Sequence, residues 1–185
     1  MLPWTHFGFG YALLLGVVAL RRASGPVAAR VGRPAATHAN SRAELLALAV
    51  GTQLPDLIDK PLAWGLAVLP GGRSMAHSLL FAAPLVAVAW LLARHWRHGE
   101  VAGAFALGYA SHLVGDVYLA VAFWRPEEFT FLLWPLAPAY PYDEGFGAVL
   151  AGFELTPTVL AGAGVSALLG SLFCLHLWLL PWVRR

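Results

Sequence analysis

Residues 108–116 read Gly-Tyr-Ala-Ser-His-Leu-Val-Gly-Asp, and the run around them, residues 101–123, carries no other charge. On a helix, His112 and Asp116 stand four residues apart, so both side chains lie on one face, one turn above the other. An imidazole nitrogen and a carboxylate oxygen can therefore converge on one point. A carboxylate inside a span this apolar costs roughly 2.5–3.5 kcal/mol on insertion scales, and an acid retained at that cost marks a functional site. The rest of the chain has to supply its partner.

The composition puts this stretch in a membrane. Of 185 residues, 59% are hydrophobic and only 12% charged, with a mean hydropathy of +0.67. A soluble domain carries about twice that charged fraction. Nothing alternates as outer-membrane strands do, so the fold class is all-α, a polytopic helical bundle in one integral membrane domain, residues 1–185. The single Cys174 excludes an intramolecular disulfide and a cysteine-rich zinc module. The net charge of +2 and the isoelectric point near 9.0 come from arginines bunched in loops. That is a topology signal before it is a nucleic-acid signal, and the expected partner is the bilayer, with no nucleic acid.

About five spans are expected, near residues 2–20, 43–58, 74–93, 100–123 and 157–183. Arg21 and Arg22 end the first, and no basic residue precedes it, which argues for a retained helix with its N-terminus outside. Residues 21–42 hold five arginines and no acid and are expected to be irregular. In the second span, Pro55 should kink or end the helix and deliver Asp56 and Asp59 there. Residues 61–68 are too short to cross and are expected to be re-entrant or interfacial. The third span is expected to open at Ser74 as N-cap, with His77 in its first turn. A long aromatic connection with four acids, Glu127, Glu128, Asp143 and Glu144, leads to the last span. Trp124, Trp134, Tyr140 and Tyr142 suit a membrane interface. Basic clusters after the first, third and fifth spans put the C-terminus in the cytoplasm.

This topology brings His6, Asp56, Asp59, His77, His112 and Asp116 to one level near the outer face. Two or three of them around one cation form the mixed nitrogen and oxygen site that zinc or manganese takes. Three isolated carboxylates there would cost on the order of 8–10 kcal/mol, and structural zinc binds with about 10–16 kcal/mol, which offsets it. A bound metal with an open position makes hydroxide available near neutral pH. Asp59 would be a second ligand or the general base, and Arg73 would hold an anionic substrate group such as phosphate.

His6, Leu54-Pro55-Asp56-x-x-Asp59, Arg73-x-x-x-His77-Ser78 and Gly108-x-x-Ser111-His112-x-x-x-Asp116, followed by Trp134-Pro135, resemble the YdjM-like family of inner-membrane proteins. Its members are described as metal-dependent hydrolases, distantly similar to the helical zinc phospholipase C and P1 nuclease enzymes. The resemblance implies a metal site of Asp56, His77, His112 and Asp116, with His6 a ligand of a second metal bridged by Asp116. The His-x-x-x-Glu pair of the soluble enzymes has no counterpart here, so a three-metal cluster is not implied. The resulting expectation is a membrane hydrolase cleaving a phosphoester of a lipid or lipid-linked molecule. The alternatives are a metal or proton transporter and a structural or regulatory subunit using the same residues.

Overall fold

A computed structural model describes residues 3–30, 41–140 and 156–180, with 145 and 147 between them. Among these residues the chain is all helical, with α1 (Pro3–Arg30), α2 (Arg42–Lys60), α3 (Leu79–His95), α4 (Gly99–Ala122) and α5 (Pro157–Leu179). A π-helical turn, Pro61–Gly65, prolongs α2, and two short 3-10 turns, Pro126–Glu128 and Thr130–Leu133, follow α4. The expected loop residues Asp143, Glu144 and Tyr142 lie outside the described residues.

Two helical stretches, α4 and residues Val159–Leu179 of α5, are long and apolar enough to cross a membrane. Thr5–Leu20 and Leu79–His95 are apolar but shorter. The outward side of α5 is apolar, with Leu160, Val165, Leu168, Leu175 and Trp178 all exposed. Lipid solvates such a face, whereas water does not. Helix α2 carries more polar residues because much of it lies inside, where Leu45, Leu48, Thr52, Pro55, Asp56 and Asp59 are buried.

Several element boundaries differ from the sequence reading. Helix α1 runs through Arg21 and Arg22 to Arg30, so charge can end a membrane span without ending the helix. Pro55 does not terminate α2, which continues to Lys60; the residue whose carbonyl its ring approaches is Gly51, within a packed helix interface. Ser74 is not a cap. Helix α3 starts at Leu79, with Ser78 accepting the Leu80 amide. The amides of Ser74, Ala76 and His77 are instead taken by Asp59, which wraps this segment into a turn. The far end of α2 opens with a complete capping box between Ser41 and Glu44.

Helices α2 and α4 run parallel and nearly touch. A methyl group built on Gly51 would meet the Phe105 carbonyl oxygen at 2.3 Å, and one on Gly108 the Leu48 carbonyl oxygen at 2.4 Å. Helix α1 joins them at Gly10, where added carbon would meet Thr52 Cγ2 at 2.5 Å. Small residues at such crossings let backbones approach, which is how helices associate where lipid is as apolar as leucine. Below lies a core of Tyr11, Leu14, Leu45, Leu48, Ala104 and Phe173.

The contrast between packed and open glycines is testable. Gly51→Ala and Gly108→Ala are expected to destabilise the detergent-solubilised protein by about 1–3 kcal/mol through overpacking. Gly16→Ala, where nothing lies within 4 Å of the new carbon, is expected to stabilise by about 0.5–1 kcal/mol. Thermal unfolding midpoints check both signs, and equal behaviour at the three positions would refute this packing.

Candidate metal centre

Four pieces of chain meet at one end of the bundle. Helix α1 brings His6, α2 brings Asp56, Asp59 and Lys60, the turn before α3 brings Arg73 and His77, and α4 brings His112 and Asp116. His6, Asp59, His77 and His112 are all at most 1% exposed.

The two central imidazoles are fixed from behind. His112 Nδ1 lies 2.7 Å from the Thr52 carbonyl oxygen. A carbonyl only accepts, so Nδ1 carries the hydrogen and Nε2 presents a lone pair. His77 Nδ1 donates in the same way to Asp59 Oδ2 at 2.8 Å. Both Nε2 atoms then face each other at 3.1 Å. Asp56 Oδ1 lies 3.5 Å from the His77 Nε2 and 3.7 Å from that of His112, and Asp116 Oδ2 lies 3.4 and 3.7 Å from the same pair.

These spacings can be compared with a coordination sphere. Bonds of about 2.0–2.1 Å in a tetrahedron put ligand atoms about 3.3 Å apart. Five donor-to-donor distances in this set, 3.1, 3.4, 3.5, 3.7 and 3.7 Å, cluster around that edge. His77, His112 and Asp116 form one group whose ligand atoms lie within 4.8 Å of one another, and His6, Asp56 and His112 form another. Asp116 Oδ2 and Asp56 Oδ1 both face His77 Nε2, while Asp59 takes its Nδ1. The surroundings of its Nε2 therefore favour positive charge there, either a proton or a metal.

His6 sits at the edge of this set. Its ring stacks on His112 with centroids 3.9 Å apart, and its Nε2 lies 3.2 Å from Asp116 Oδ1. Its Nδ1 is buried and finds no hydrogen-bond partner among the described residues.

Two site residues stand elsewhere than the sequence suggested. Asp59, read as a second ligand or general base, lies behind His77. Its Oδ1 accepts the Ala76 amide, and its Oδ2 accepts the Ser74 and His77 amides and the imidazole. It positions a ligand rather than facing the centre. Arg73, read as a phosphate clamp, forks onto Asp116 with Nε and Nη2 each 3.1 Å from an oxygen. Its guanidinium lies over Tyr140, 4.5 Å from the ring centroid.

Lys60 and the Thr52 carbonyl escaped the sequence reading. Lys60 Nζ lies 2.6 Å from Asp56 Oδ2, and the i,i+4 spacing of Asp56 and Lys60 on α2 was the available signal. A backbone acceptor such as Thr52 leaves no mark in sequence. Ser111 donates to the Gly108 carbonyl within its own helix. His176 pairs with Tyr11 Oη at 3.1 Å, on the opposite end of the bundle from the His77–His112 cluster.

No curated protein and no solved structure matches this chain. The family described as YdjM inner membrane protein does match, over residues 1–180, a range that contains every residue of the centre. With its apolar helices and a buried His and Asp cluster able to hold a metal ion, the chain belongs to the YdjM inner membrane protein family.

Proposed function

We propose that this protein is a metal-dependent hydrolase of the inner membrane, cleaving a phosphoester of a lipid or lipid-linked molecule. The observation that carries the reading is the pair of imidazoles, each oriented through Nδ1, whose Nε2 atoms face one another at 3.1 Å between Asp56 and Asp116. Such second partners on metal-bound histidines raise their basicity and fix their tautomer.

In this proposal Asp56, His77, His112 and Asp116 hold a divalent ion, zinc by preference and manganese as the other candidate, and His6 with Asp116 offers a second position. The ion supplies Lewis acidity and activates water near neutral pH. The chain's own groups do the rest. Asp59 holds His77 in place, and Arg73 and Lys60 neutralise the carboxylates. Phe131, fully buried with its ring 6.0 Å from that of His77, keeps water from that side. We further propose five membrane crossings, with the N-terminus and the site at the outer face and the C-terminus in the cytoplasm.

A second reading has an observation in its favour. Two imidazoles and two carboxylates this close together also suit a closed structural clamp. Cobalt substitution separates the two, because visible absorption reports coordination number. An open site is expected to change its spectrum when inorganic phosphate is added, and an unchanged four-coordinate spectrum would support the clamp.

Elemental analysis tests the centre itself. The purified protein is expected to hold stoichiometric zinc or manganese, and His112→Ala and Asp116→Ala to lose it. Asp59→Asn keeps the ligands but weakens the hold on His77, so metal affinity should fall about 10–100-fold. A protein that stays metal-free after reconstitution with excess metal rules out the hydrolase. Metal without turnover of any lipid phosphoester rules out the chemistry while keeping the centre.

A further inference from the structure

The ligand side chains of the centre are 0–8% exposed, whereas those of Lys60 and Arg73 are 24% and 22% exposed. Among the described residues, the two cations paired with its carboxylates are thus more exposed than the cluster itself. Each stands one carboxylate away from His77 Nε2: Lys60 through Asp56, Arg73 through Asp116. Each is also held over an aromatic ring, with Lys60 Nζ 5.5 Å from the Trp64 centroid and the Arg73 guanidinium 4.5 Å from that of Tyr140. Rings placed this way restrain a long cationic side chain without neutralising it.

The charge count decides what such a pair faces. Asp56, Asp59 and Asp116 against Lys60 and Arg73 leave one negative charge. A divalent ion turns that surplus into one positive charge, and a second ion adds two more. In a poorly solvated site this excess favours an anion over a neutral ligand. The guanidinium supplies the planar fork that matches phosphate oxygens, and the ammonium adds a point charge.

We propose that Lys60 and Arg73 form the anion seat of the metal-loaded centre and that its ligand is a phosphate group, either free or in a lipid headgroup. The proposal rests on the metal reading of this site and is independent of hydrolysis. Lys60 and Arg73 thus serve two states, neutralising the carboxylates when the seat is empty and turning to the phosphate oxygens when it is filled.

The test is calorimetric titration of the zinc-loaded full chain, in neutral maltoside micelles at low ionic strength, with inorganic phosphate. Zinc content is measured on every sample. The parent is expected to bind phosphate, and Lys60→Met and Arg73→Met each to bind it about tenfold more weakly or worse at unchanged zinc, the effect of losing one charge-assisted hydrogen bond. Lys60→Arg is expected to bind within a few-fold of the parent, and Arg73→Lys to fall between parent and Arg73→Met. A zinc-loaded parent that ignores phosphate overturns the proposal, as do Met variants that bind like the parent. If a Met variant loses zinc, the comparison of Arg73→Lys with the parent decides, since equal affinity there refutes a seat built on the fork. Repeating the titration with short-chain phosphatidylglycerol identifies the source: tighter binding than inorganic phosphate assigns the seat to a lipid headgroup, equal or weaker binding to free phosphate. A parent without zinc fails at the earlier step, and elemental analysis reports that separately.

Discussion

Asp59 is the constraint on which the site depends. It is fully buried and accepts from three backbone amides, those of Ser74, Ala76 and His77, and from His77 Nδ1. A buried carboxylate is tolerated when its oxygens are met by this many donors. The consequence is geometric. The end of α2 is tied to the turn before α3, the start of α3 is set at Ser78, and His77 is aimed at His112. Ser78 passes the constraint on, since its hydroxyl donates to the Trp134 carbonyl at 2.6 Å and so fixes the segment that carries Phe131 against His77. One carboxylate thus organises a buried imidazole, a helix start and a cover.

The other half of the centre is set by backbone proximity. His112 can reach the Thr52 carbonyl only because α2 and α4 approach at Gly51 and Gly108. A side chain at either glycine would push the helices apart by the width of a methyl group, and a 2.7 Å hydrogen bond does not survive that. The hydrogen bond fixes the His112 tautomer, and the tautomer decides which nitrogen faces His77. Packing, tautomer and donor set are therefore one problem. This is why a pair of small residues on helix faces belongs to the chemistry as much as the histidines do.

The legible part of the site in sequence was whatever carried unusual cost. Asp116 and His112 stood out because charge in an apolar run is expensive, and Asp56 and His77 because helix topology put them at the same level. Asp59 was legible as a site residue but not as a positioning one, because a carboxylate facing a metal and one facing backbone amides look alike until the turn is folded. The true start of α3 was hidden for the same reason, since Ser74 is a good cap in isolation and only the competing Asp59 removes it. Lys60 went unnoticed, because an i,i+4 partner of Asp56 at a helix end looks like an ordinary solvated cation until Asp56 is seen to be buried. Arg73 was placed at the site, but its fork onto Asp116 depends on a side-chain direction that spacing does not encode. Helix number and approximate position followed from hydropathy, while the extension of α1 to Arg30 did not, because hydropathy reports where lipid ends and not where hydrogen bonding does.

The same packing bears on whether the cluster passes ions or acts on them. A transporter needs polar groups through the depth of the bundle, each weak enough to release what it holds. Below the His and Asp cluster, the described interior is filled by Tyr11, Leu14, Leu45, Leu48, Ala104 and Phe173, with Leu45 and Leu48 fully buried and the Tyr11 hydroxyl taken by His176. The polar groups beyond this plug are committed to helix ends. Arg42 donates to the carbonyls of Leu177 and Trp178 at 2.9 and 3.0 Å, Glu44 closes the cap of α2, and His176 pairs with Tyr11. An ion leaving the cluster toward that end would have to cross this apolar layer, at a desolvation cost that no group within the described layer offsets. On the other side stand Lys60 and Arg73, partly exposed, over aromatic rings. A cluster closed below by leucine, with its two partly exposed cations on the other side, fits the proposed anion seat better than a pathway through the bundle.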